Sequence, residues 1–173
     1  MFGERLAAGL AATAGRVEQP PGPDGAHLVA YWNGRETEDL AGDGLSAGHT
    51  LLVAHSDIVF PAGTISRRPF TLAEDGDTVT GPGVFDMKGS LVAVELAMEL
   101  LSRTGATPRR PVRLVPLGSS GGAGDTNLTG ALGIPTVDGL GPAGADAHGE
   151  DEYASLSALL ERAALIAAFL DTH

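Results

Sequence analysis

The sequence contains no cysteine. That excludes a disulfide framework and any thiolate metal site, so a bound metal would have to be held by His, Asp or Glu. Aromatic residues make up only 5%, and basic residues number 11 against 22 acidic ones. The resulting net charge of −11 argues against nucleic acid or an anionic membrane as partner, since both would be repelled. A solvated acidic surface is the simplest reading of that charge, although it also suits a site that gathers divalent cations. No apolar run approaches the roughly 20 residues of a membrane span. The N-terminal MFGERLAAGLAATAGRVEQPPGPDG lacks the basic region and long apolar core of a signal peptide. The expected location is therefore the cytoplasm.

What is present is a glycine-rich and alanine-rich chain of 173 residues, 43% hydrophobic. That is enough for one globular domain with a closely packed core. A first helix is expected over about residues 3–15, and the alternating AHLVAYWNG (26–34) reads as a strand. HTLLVAHSDIVF (49–60) opens with a nearly continuous apolar run, which predicts a strand buried on both faces. PFTLAEDGDTVTG (69–81) reads as a hairpin turning at Glu74–Asp77.

DMKGSLVAVELAMELLS (86–102) is helical and apolar almost all round, hence central, and Thr104-Gly105 ends it. PVRLVPL (111–117) is a further buried strand, TNLTGALG (126–133) a short helix and IPTVDG (134–139) another strand. The last helix, 155–172, carries Leu156, Leu159, Leu160, Ala163, Ala167 and Leu170 along one stripe. Strands alternating with helices predict an α/β fold: a three-layer α/β/α sandwich on a mainly parallel, mixed sheet.

Three places could carry chemistry. In AHSDIV, His55 and Asp57 stand at the carboxyl end of the apolar strand, where open α/β sheets put their sites. Positions i and i+2 share a strand face, so the carboxylate can hold the imidazole's second nitrogen. Taken alone, this pair is more often a loop histidine with a capping aspartate. In GPGVFDMKGS, glycines 81 and 83 turn the chain so that Asp86 arrives at the mouth of the central helix, where a plain N-cap is the competing reading. In GLGPAGADAHGEDEY, His148 precedes the last helix. A lone histidine there is more often on the surface, and Glu150, Asp151 and Glu152 read as first-turn charges favoured by the helix dipole. His27, His49 and His173 have no supporting context.

Together these motifs have an order and spacing that resemble one family. LLVAHSDIVFPAGT…RRPFTL…DGDTVTGPGVFDMKGSLVA, with a tail GGAGDTNLTGALGIPTVDGLGPAGADAHGEDEYASLSALLERAALIAAFL, looks like the catalytic domain of certain zinc metallopeptidases. These include glutamate carboxypeptidase, acetylornithine deacetylase and succinyl-diaminopimelate desuccinylase. The resemblance covers nearly the whole chain. It implies a two-zinc site in which His55 binds one ion, His148 the other, Asp86 bridges them and Asp57 orients His55. It also implies a cis peptide at Asp86–Met87 and a zinc-exopeptidase-like fold, with cobalt or manganese accepted by the same donors.

The family's strand corresponding to 111–117 normally runs into Asp-Glu-Glu, which supplies the general base and a metal ligand. A further acidic ligand and an inserted lid domain follow. Here PVRLVPL meets GSSGG and passes directly to the family's late GGAGDTN. The chain therefore reads as a single reduced catalytic domain: residues 1–117, a deletion join at 118–124, natural or engineered, and residues 125–173. Asp125, Asp146 and Glu150 are conceivable substitute ligands, but no spacing supports any of them. Losing a general base costs about 10²–10⁴ in rate, so the expected protein is a metallohydrolase with impaired or absent catalysis. Its substrates, if active, would be peptides or N-acyl amino acids cleaved at an amide beside a carboxylate. The alternatives are a metal-binding remnant or minimised scaffold and a protein acting by association, for instance self-association through an exposed sheet edge.

Overall fold

The computed structural model describes residues 2–22, 25–33, 48–117 and 129–173. The join at 118–124, Asp125 and the start of the helix expected over 126–133 lie outside them. The chain is a mixed α/β structure. Helix α1 (Phe2–Ala11) leads into β1 (Arg16–Glu18), the short hairpin β2 (Pro21–Gly22) and β3 (Gly25–Ala26), then β4 (Val29–Trp32) and β5 (Thr50–His55). After the single turn α2 (Thr64–Arg67) come β6 (Thr71–Leu72), β7 (Thr78–Thr80), a wide turn over Val84–Lys88 and helix α3 (Gly89–Thr104). The remaining elements are β8 (Val112–Leu117), β9 (Gly144–Ala145), β10 (Tyr153–Ser155) and α4 (Leu156–Thr172).

The main sheet has the order β1-β4-β8-β5 and is mixed. β5 runs parallel to β8, pairing Leu52 with Leu114 and His55 with Leu117, while β4 is antiparallel to both β8 and β1. A second, antiparallel sheet has the order β6-β7-β10-β9. Ala30, Trp32, Ala54, Val112 and Leu114 come from one face of the main sheet. They form a single core with Leu6 and Leu10 of α1, Leu91, Ala97, Met98 and Leu101 of α3, and Leu159, Ala163, Ile166, Ala167 and Leu170 of α4.

The central helix is buried as its composition predicts. Gly105 ends it at φ 72°: its N–H donates to Ser102 O, and Ala106 N–H donates to Leu101 O, a left-handed cap that few residues other than glycine adopt. Ser155 caps α4, its Oγ accepting from Ala158 N–H. The hairpin reinforces that cap, because Asp77 accepts from Ser157 N–H at 2.6 Å and from Ser155 Oγ–H at 2.7 Å.

Three sequence expectations are revised. β5 is covered on one face only: Ala54 is buried, whereas Leu51 and Val53 on the opposite face are 54% and 44% exposed. Residues 134–139 form no strand. Thr136 hydroxyl instead turns back to Ile134 O, Asp138 accepts from Gly139 N–H, and Pro135 has no N–H to give a ladder. On α4, Leu160 is exposed and Ile166 takes a place in the buried stripe.

Candidate metal centre

Parallel pairing with β8 carries β5 to His55, and the chain turns off the sheet immediately afterwards. Lys88 at the head of α3 holds that exit, its Nζ donating to Ser56 O at 2.9 Å. Burial pushes the Lys88 ammonium below its ordinary pKa, against the opposing pull of Asp57 and Glu152. His55 N–H is directed at Met87 Sδ, 3.3 Å away. The ring therefore stands between the strand end and the turn before α3. Asp57, two residues on, places Oδ1 3.0 Å from His55 Nδ1, the pairing that the i, i+2 spacing suggests.

The turn before α3 is built by glycine. Gly83 has φ 78°, and a Cβ there would lie 2.5 Å from Ile58 Cγ2, so both the backbone and the space demand glycine. Asp86 is non-helical (φ −116°, ψ 95°) and the Asp86–Met87 peptide is cis. Asp86 does not cap α3; Lys88 occupies the N-cap position, without a side-chain cap. Freed from capping, the Asp86 carboxylate faces two imidazoles. His55 Nε2 lies 3.1 Å from Oδ1, and His148 Nε2 lies 2.7 Å from Oδ2.

His148 comes from the loop between β9 and β10 and has φ 67°. Asp146 shapes this loop through its own groups: its carbonyl accepts from Gly149 N–H and its Oδ2 from Asp151 N–H. That employment takes Asp146 away from the imidazoles. Arg68 anchors the loop from the other side, Nη1 donating to Gly149 O at 3.0 Å. The structure thus brings His55, Asp57, Asp86 and His148 together from segments 31 and 62 residues apart.

Glu152 is the residue that sequence reasoning missed. It is not a first-turn charge of the last helix, which starts only after Ser155, but the residue before β10. It is 1% exposed. Its Oε2 accepts from Gly83 N–H at 2.9 Å, and its Oε1 accepts from Phe85 and Asp86 N–H, both at 3.0 Å. One signal was available: Ser155 with α4 beyond it is an N-cap, which places Glu152 outside the helix.

Does this donor set fit a metal? As arranged, no group of three His, Asp or Glu side chains among the described residues is set to hold one ion. Both Nε2 atoms instead lie at hydrogen-bond distance from the carboxylate. Around tetrahedral zinc, with bonds near 2.1 Å, a nitrogen and an oxygen ligand stand about 3.4 Å apart. Opening the His55–Asp86 contact from 3.1 Å to that separation needs a few tenths of an ångström. The His148–Asp86 contact, at 2.7 Å, needs about twice as much. Two imidazoles aimed at the two oxygens of one carboxylate are donors of a type suited to zinc, cobalt or manganese. The donor types suit a metal, but the set stands closed at hydrogen-bond distance and is short of ligands for two ions.

Comparison with known proteins finds likeness over part of the chain. The sequence profile described as Peptidase family M20/M25/M40 matches residues 51–118, the stretch from β5 to the end of β8 that carries His55, Asp57 and Asp86. A search of curated proteins finds no match. Among solved structures, human carnosine dipeptidase 1 is similar at TM-score 0.51 and 16% identity, covering 75% of this chain and 28% of its own. The dipeptidase Dug1p of Saccharomyces cerevisiae is similar at TM-score 0.51 and 14% identity, with 75% and 28% covered. The metallo-carboxypeptidase Sso-CP2 of Sulfolobus solfataricus gives TM-score 0.48 and 21% identity, with 66% and 24% covered. At such identities the first two likenesses establish the α/β fold alone. The chain spans about a quarter of the length of these structures. Among the described residues no helix is long and apolar enough to cross a membrane.

Proposed function

We propose that this chain carries a reduced metallohydrolase centre of the M20 type, which binds a divalent metal through His55, Asp86 and His148 and hydrolyses amides poorly or not at all. One observation carries the reading: both oxygens of Asp86 meet an imidazole Nε2, and the three residues come from three separate segments. The match to the M20/M25/M40 profile over residues 51–118 supports it. Asp57, on Nδ1 of His55, leaves Nε2 of that ring as the ligating atom. A bound metal would supply Lewis acidity toward an amide carbonyl.

The chain's own residues bind and orient. Lys88 and Met87 hold His55 against the turn, and Asp57 fixes its ring. The four positions after Leu117 are Gly-Ser-Ser-Gly, with no carboxylate to take a proton from attacking water where the resemblance expects the base. Among substrates, the dipeptides named for the two similar dipeptidase structures, and the N-acyl amino acids implied by the resemblance to glutamate carboxypeptidase and acetylornithine deacetylase, share an amide next to a carboxylate. That is the bond we assign to this centre.

Metal analysis of chelator-stripped, zinc-reconstituted protein tests the reading, beside His148→Ala. The expected result is about one zinc per chain, lost in the variant, with turnover of N-acyl amino acids at least about 10²-fold below that of a full two-metal hydrolase. No zinc above background sinks the proposal.

A second reading, action by association, is favoured by the position of β5. Among the described residues it is one of the two edge strands of the main sheet, and its Leu51 and Val53 are exposed. Sedimentation of the metal-free protein decides this reading: a monomer at every concentration refutes it.

A further inference from the structure

We infer that Glu152 is the positioning residue of the centre, the side chain that fixes the Asp86 turn to the His148 loop. The inference deepens the metal-binding reading and rests on it for its functional meaning. Three backbone N–H groups, from Gly83, Phe85 and Asp86, converge on one carboxylate that is 1% exposed. A buried N–H without a partner is costly, so this turn is matched to an acceptor with two oxygens. Glu152 is joined to His148 through only three intervening residues, Gly149, Glu150 and Asp151. The same carboxylate thus sets Asp86 through that residue's own N–H and sets the loop that delivers His148 to Asp86 Oδ2. Arg68 approaches Glu152 from the loop side, Nη2 to Oε2 at 4.0 Å, while its Nη1 holds Gly149 O. His55 has supports of its own in β5 pairing and Lys88, and meets the turn through Met87 Sδ and Asp86 Oδ1. Glu152 therefore acts most directly on the His148–Asp86 half of the centre.

Glu152→Gln separates positioning from mere packing, because the side chain keeps its shape. An amide has one acceptor oxygen, so its NH₂ must face either the Gly83 N–H or the Phe85/Asp86 pair, donor against donor. The first readout is amide hydrogen exchange by NMR in metal-free protein. Gly83, Phe85 and Asp86 are expected to be protected in wild type and to exchange faster in the variant. The second is zinc affinity by competition with a chelating dye, expected to fall roughly 10–100-fold, as losses of supporting hydrogen bonds around metal ligands do. The third is the visible spectrum of the cobalt-loaded protein, expected to change in Glu152→Gln and not in Glu161→Gln, on the exposed face of α4.

Unprotected amides in wild type, or a Glu152→Gln variant with wild-type exchange and zinc affinity, overturn the inference. The wild-type exchange measurement holds even where the variant does not fold. Wild type that binds no zinc but protects all three amides refutes the metal reading and upholds the clasp.

Discussion

The uncovered face of the main sheet makes a quantitative prediction, because successive residues along β5 and β8 alternate between the two sides of one layer. Leu114 is 0% exposed, lies beside Leu52 and Ala30, and belongs to the core formed with α3 and α4. Truncation to alanine removes the transfer energy of three carbons and leaves a cavity, so Leu114→Ala should cost about 2–5 kcal/mol. Leu51 is 54% exposed. Fully burying a leucine is worth about 1.5–3 kcal/mol; roughly half of that burial is realised here, and solvent fills the space left behind. Leu51→Ala should therefore cost about 1 kcal/mol or less. Val53→Thr, nearly isosteric on the same face, should stay within about 0.5 kcal/mol. Urea unfolding followed by far-UV circular dichroism and by Trp32 fluorescence measures all three, with coincident probes and an unchanged slope as the check on two-state behaviour. A Leu51→Ala penalty of about 2 kcal/mol or more in dilute monomer would refute the reasoning, since it would show that this face is covered in solution.

Two further predictions follow from the site and its hairpin. Zinc at about 100 times its dissociation constant should stabilise the fold by about 2.7 kcal/mol. For a domain of this size that raises Tm by roughly 5–11 °C; EDTA should reverse the shift and His148→Ala abolish it, and a shift that persists in the variant would remove His148 from the centre. Asp77 is held below the ordinary carboxylate pKa by hydrogen bonds from Ser157 N–H first and from the Ser155 and Ser157 hydroxyls. Its ionised form is thus favoured by folding: the contribution is complete above the unfolded pKa, near 4, and is lost as pH falls through the lower folded value. Asp77→Asn should flatten the fall of urea midpoints between about pH 5 and pH 2, and parallel curves for variant and wild type would contradict the capping role.

Much of this was legible in the sequence where the signal is local and repeated. The apolar periodicity of 86–102 and the glycine after Thr104 gave α3 and its end, and the apolar runs at 49–55 and 111–117 gave the parallel pair β5 and β8. The failures share a cause. Ile134, Thr136 and Val137 have strand chemistry, but a strand needs a partner, and local hydrogen bonds from Thr136 and Asp138 replace the ladder. A continuous apolar run implies cover on both faces, yet the helices α1, α3 and α4 contribute to one core on one face of the main sheet. Glu152 was hidden among three consecutive acids; nothing in composition marks the one that turns inward to collect three N–H groups.

The meeting of His55, Asp86 and His148 was legible only through resemblance, since contacts spanning 31 and 62 residues leave no local pattern. What the structure adds is the set of contacts that hold each of the three residues. His55 is held by β5–β8 pairing and by Lys88 on Ser56 O. Asp86 is held by Gly83 and by Glu152. His148 is held by Asp146 within its loop and by Arg68 on Gly149 O. Every one of these contacts lies in residues 48–117 or 129–173, outside the join. On the proposed reading, presentation of ligands and supply of a proton acceptor are separable: the first is built from the strand end, the turn and the loop, and the second is expected from positions that here read Gly, Ser and Ser. That separation is why metal binding is expected to precede, and to outlast, hydrolysis in this chain.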